Sequence, residues 1–159
     1  MKRVSFYVLL LSFFMFSCDR NKSNIPIFSY KLQKEGVQKL KLGINEKENQ
    51  INFEYLHEKD TVKEIFLKYN PEIDVLILEL DTFQHIDKSY DSKSLNFKMY
   101  QSKNSKEQDR SLVFNSKYGL LASLAYGADF LFLKDSVSTN DKELIFKGIF
   151  LEMNKIHIE

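Results

Sequence analysis

Lys39-Leu40-Lys41-Leu42-Gly43-Ile44, followed after a polar break by Ile51-Asn52-Phe53-Glu54-Tyr55, alternates apolar and polar residues with a period of two. Successive side chains of a β-strand point to opposite faces, so each run predicts a strand with one buried face. Ile65, Leu67 and Tyr69 continue the same period. Asn70-Pro71-Glu72 interrupts it, and Ile73-Asp74-Val75-Leu76-Ile77-Leu78-Glu79-Leu80 follows as the most apolar segment, its β-branched content favouring a central strand. Breaks at Gly36, Asn45–Asn49, His57–Asp60 and Asn70–Glu72 recur at the spacing of short strands and turns, which predicts an antiparallel meander without βαβ units.

Beyond this block, Thr82 to Lys93 reads as a polar connection with room for a short helix, and Leu95, Phe97 and Met99 resume the alternation. Ser102 to Arg110 is the most hydrophilic loop. Ser111–Asn115, Leu120–Tyr126 and Phe130–Leu133 complete the strand candidates, with Gly119 and Gly127 at turns. Leu120, Leu121 and Leu124 also share a helical face, so residues 120–126 fit a strand or a helix. At the C-terminus the period changes. Asn140 and Glu143 form a capping-box pattern, and Leu144, Ile145, Gly148, Ile149 and Met153 recur at helical spacing, predicting an amphipathic helix over about 141–154. Ile156-His157-Ile158 suits a short edge strand.

The N-terminus follows another logic. Lys2 and Arg3 precede a 13-residue, almost unbroken apolar run from Val4 to Phe16, and the small Ser17 follows. That order is the one a secretory signal requires. Thirteen helical residues rise about 20 Å, short of a hydrocarbon core of roughly 30 Å. Cys18 is the one cysteine of the chain. Met15-Phe16-Ser17-Cys18 resembles, in relaxed form, the lipobox of bacterial lipoproteins, with Met15 in place of the usual Leu and a bulky Phe16. The resemblance implies cleavage before Cys18, a diacylglycerol on its sulfur, and a location in the cell envelope with the membrane as partner. It covers about 18 residues and implies nothing about activity. The expected organisation is a signal peptide over residues 1–17, a flexible tether over 18–25, and one domain over 26–159.

Composition narrows the function. Across 159 residues, 23 Lys and Arg face 22 Asp and Glu, and a net charge of +1 leaves no broad basic footprint for nucleic acid. Five Gly and two Pro exclude collagen-like and low-complexity classes. Of the 14 Phe and 8 Tyr, the 10 Phe and 7 Tyr beyond the signal segment can fill a core or line a small-molecule pocket.

Motifs for chemistry are sparse. His57-Glu58-Lys59-Asp60-Thr61 begins like H-E-x-x-H, but Thr61 occupies the place of the second histidine. Asp81, His85 and Asp87 form a weak metal or proton-transfer candidate, because flanking carboxylates can orient an imidazole. His157 lies beside the terminus. Ser123 between Gly119 and Gly127 lacks the close glycines of a nucleophile elbow, and Asp87–Asp91 lacks the central glycine and distal Glu of a calcium loop. No cofactor motif is present.

These readings predict an α+β, mainly β domain: an antiparallel curved sheet or partial barrel of about eight strands with one C-terminal helix. A meander followed by a helix is similar to the broad plan of lipocalins, whose G-x-W signature this Trp-free chain lacks, and fold analogy assigns no function. The leading expectation is an envelope-anchored lipoprotein with a non-enzymatic accessory or binding role. A carrier of an apolar small molecule or lipid, and a small metal-dependent envelope hydrolase, are the alternatives.

Overall fold

The structure is a computed structural model and describes residues 24–31, 36–58, 65–92, 95–102, 110–125 and 129–156. The signal segment, Cys18, Lys59 to Thr61 and His157 to Ile158 lie outside the described residues.

Ten strands follow in chain order: β1 (Ile25–Lys31), β2 (Val37–Lys47), β3 (Gln50–His57), β4 (Ile65–Asn70), β5 (Val75–Leu78), β6 (Asp81–Ser92), β7 (Leu95–Ser102), β8 (Ser111–Asn115), β9 (Gly119–Leu124) and β10 (Phe130–Lys134). One helix, α1 (Thr139–Ile156), ends the described chain. Every strand pairs antiparallel with its neighbour in sequence, and β10 closes onto β1, with Ile27 opposite Lys134 and Lys31 opposite Phe130. The mainly β, antiparallel expectation therefore holds. The expected eight strands and partial barrel do not: the sheet is a closed barrel of ten.

The two additional strands carry weak sequence signals. β1 contains Pro26 and begins inside the expected tether of residues 18–25, where Ile25 already pairs with Leu42. Pro26 is tolerated because its pairing with β10 begins one residue later, and its carbonyl accepts from the Asp135 N–H at 3.1 Å. β6 occupies the stretch expected to be a connection. Among its residues of described burial, 81–91, only Phe83 is buried, and a bulge between Ile86 and Ser89 breaks the alternation. β5 is shorter than its apolar sequence suggested. Asp74 and Glu79, at φ 51° and 57°, turn the chain on either side of Val75–Leu78 and leave Leu80 98% exposed.

Residues 120–124 are strand. Val113 pairs with Ala122 and Phe114 with Leu120, so Leu121 is an extra residue of a bulge. That insertion produces the consecutive buried run that mimics a helical face.

Inward residues of alternate positions fill the barrel: Leu40, Leu42, Phe53, Tyr55, Leu67, Phe83, Phe114 and Phe132 belong to one buried cluster. Phe114 meets Phe53, Tyr69 and Tyr100 with ring centroids 5.2, 5.1 and 6.0 Å apart, in edge or tilted geometry. A second cluster lies outside the wall under α1, where Ile145 and Ile149 cover Met99, Leu121, Leu131 and Leu133. Gly148 lets the helix approach β6, since a Cβ there would sit 2.5 Å from the Tyr90 hydroxyl. Leu144, expected on the apolar face, is exposed. Ser138, and not Asn140, caps the helix, its Oγ accepting from the Asp141 N–H at 3.3 Å.

No helix among the described residues is long and apolar enough to cross a membrane. Lys39, Lys41 and Lys68 project from the outer wall into solvent, opposite the inward-pointing residues of the first cluster.

Candidate functional site

Because odd strands run one way and even strands the other, the chain enters β1 at one end, here the near end. The ends of β1, β3, β5, β7 and β9 and the starts of β2, β4, β6, β8 and β10 lie at the far end. Each end carries a polar constellation.

At the near end, Asp74 projects from the β4–β5 turn toward the barrel axis. Its Oδ1 accepts from Tyr69 Oη at 3.0 Å and from Tyr100 Oη at 2.7 Å, and its Oδ2 accepts from Lys98 Nζ at 2.6 Å. His85 Nδ1 stands 3.6 Å from Oδ2. Partial burial alone would raise the Asp74 pKa, but hydrogen bonds from Lys98, Tyr100 and Tyr69, with the lysine charge, hold it below the ordinary carboxyl value. The bond to Asp74 raises Lys98, while burial and the neighbouring carboxylate raise both tyrosines. Every shift moves away from neutrality, whereas a proton-transfer site needs groups tuned toward it. The cluster is an electrostatic clasp across β4, β6 and β7.

At the far end a cavity of about 400 Å³ opens at the barrel mouth. Leu40, Ile65, Leu78, Leu120, Phe130 and Phe132 provide its apolar wall. Ser29, Gln38, His57, Glu79, Arg110 and Ser123 add polar groups. Ser29 is itself buried, and Tyr55 underlies the site, its hydroxyl accepting from the Leu120 N–H at 2.7 Å. An apolar wall with a few convergent polar groups is the usual form of a small-molecule site. A larger depression, about 960 Å³, lies over β3 and β4 on the outer wall. Lys47, Asn52, Glu54, Lys68 and Glu72 line it, so it presents mostly polar side chains.

The candidates chosen from sequence fall apart in space. Asp81 opens β6 at the far end, paired with Leu78. His85 lies four residues on, roughly 13 Å along a strand, with its ring 5.6 Å from that of Tyr100. Asp87 sits in the β6 bulge. No group of three or more His, Cys, Asp or Glu among the described residues could hold a metal ion. His57, the last residue of β3, and Ser123 on β9 do come together, as walls of the mouth cavity. In sequence, Glu79 belongs to an apolar strand segment and Arg110 to the most hydrophilic loop. Barrel closure gathers these strand ends, and no local periodicity reports it.

No protein-family model, curated protein or solved structure matches the chain.

Proposed function

We propose that this protein is an envelope-anchored lipoprotein with a non-enzymatic binding role, and that its ligand is a small, partly apolar molecule held at the far mouth of the barrel. The mouth cavity carries this reading: it is the place where an apolar wall and converging polar side chains meet in one enclosure. Phe53, Tyr55, Phe83, Tyr100, Phe114 and Phe132, each under 2% exposed, fill the interior beneath it. A short ligand therefore fits, and a long acyl chain threaded through the barrel does not.

Lipid on Cys18 would tether the near end, since Ile25 begins β1 there. The mouth then lies at the opposite end from the anchor. The separation of Asp81, His85 and Asp87 gives the hydrolase alternative no support.

The test is titration with the neutral fluorescent probe N-phenyl-1-naphthylamine. Saturable one-to-one binding is expected in the wild type, and Ser123→Phe, which places a ring in the cavity, should weaken it at least about tenfold. Urea melts of the variant verify that it remains folded. Undiminished binding by folded Ser123→Phe would remove the mouth from consideration.

A further inference from the structure

Two opposite charges share the rim of the mouth cavity without neutralising each other. Arg110, immediately before β8, and Glu79, in the β5–β6 turn, both line it, yet no ion pair among the described residues joins them. Arg110 is half-buried and Glu79 is exposed. Among the described residues of the cavity wall, the other titratable side chain is His57. A ligand bearing a single charge would therefore meet one favourable and one repulsive group.

The Glu79 backbone strengthens the point. It holds φ 57° as the first of two residues joining Leu78 to Asp81. Glycine is the residue that occupies left-handed turn positions without steric cost. A glutamate here accepts that cost and places a carboxylate at the rim. Below the rim the wall is Leu40, Ile65, Leu120, Phe130 and Phe132, and about 400 Å³ lies at the small end of ligand-pocket volumes.

We propose that the mouth binds a small apolar zwitterion of the amino-acid class, its carboxylate toward Arg110, its ammonium toward Glu79 and its side chain against the apolar wall. This inference rests on the reading of the mouth as a binding site. Ser29, Ser123 and Gln38 provide neutral hydrogen-bonding groups for the same polar head.

Calorimetric titration should compare phenylalanine and leucyl-phenylalanine with 3-phenylpropionate, phenethylamine and N-acetylphenylalanine amide. At least one zwitterion is expected to bind about tenfold or more tightly than each of the others. Glu79→Gln should erase the advantage over 3-phenylpropionate, and Arg110→Gln the advantage over phenethylamine. Glu79→Gly should do the same as Glu79→Gln without lowering the urea midpoint. Equal binding of 3-phenylpropionate and the zwitterions would overturn the proposal in favour of a simple anion. Failure of every zwitterion, while N-phenyl-1-naphthylamine still binds and Ser123→Phe still excludes it, would overturn the ligand class alone. Failure of the naphthylamine as well would remove the binding reading beneath it.

Discussion

Asp74 binds together strands that local sequence cannot relate. Its three hydrogen bonds reach Tyr69, Lys98 and Tyr100 from a turn whose φ of 51° is uncommon outside glycine. The folded pKa lies below the ordinary value, so its contribution to stability is present above the unfolded carboxyl pKa, about 3.9. It is lost as pH falls through the folded value. Asp74→Asn should therefore lower stability near neutrality by about 1–2 kcal/mol, discounted for a partly exposed site. The difference from wild type should shrink below pH ~4 in urea melts run across that window. Gly119 is the other indispensable residue, with φ 92° and a virtual Cβ 2.5 Å from the Tyr55 hydroxyl. Gly119→Ala should cost about 2–4 kcal/mol, combining left-handed strain with damage to the Leu120–Tyr55 bond. Tyr55→Phe in the same chain should cost less than the sum of the two, because both changes act on one contact. The glycine was legible as a turn residue. Its contact with Tyr55 was not, because β3 and β9 meet only across the barrel interior.

Strands β2, β3 and β4 were legible because one face of each is buried and the other is wet, and β7 keeps period two through Leu95, Phe97 and Met99 although Tyr100 is buried on its other face. β6 was hidden for the opposite reason: Gln84 and His85 are both exposed and a bulge interrupts the alternation at Asp87 and Lys88. β9 gave a mixed pattern because it is buried on both faces, inward through Leu120 and outward under α1 through Leu121 and Ala122. The helix was visible from its spacing, although its seat depends on Tyr90. Gly148→Ala should destabilise by about 1–2 kcal/mol in urea melts, with the ring of Tyr90 having to give way. Adding Tyr90→Ala should make the Gly148→Ala step nearly neutral, and an unchanged cost would place the helix contact elsewhere.

Closure of the barrel joins Ile27 to Lys134 and leaves no unpaired sheet edge among the described strands, which removes a route to edge-to-edge association. It also creates both ends: one clasped by Asp74, the other open at the mouth cavity. Attachment to a membrane is a property of the whole chain, and under the lipoprotein reading it depends on Cys18. Metabolic labelling with palmitate should mark the wild type and spare Cys18→Ala, and Cys18→Ala should leave the membrane fraction; equal labelling would refute the anchor. The antiparallel β character and the C-terminal helix are readable along the chain, as is the charge order on which the proposed lipid acceptor Cys18 rests, because charge order and periodicity are local properties. Ten strands in place of eight, the Asp74 clasp and the placing of Glu79 and Arg110 on the wall of one cavity emerge only in three dimensions. Pairing between β1 and β10, and convergence of strand ends at one mouth, are set by how a twisted sheet curls until its edges meet, and short-range sequence pattern carries no record of that closure.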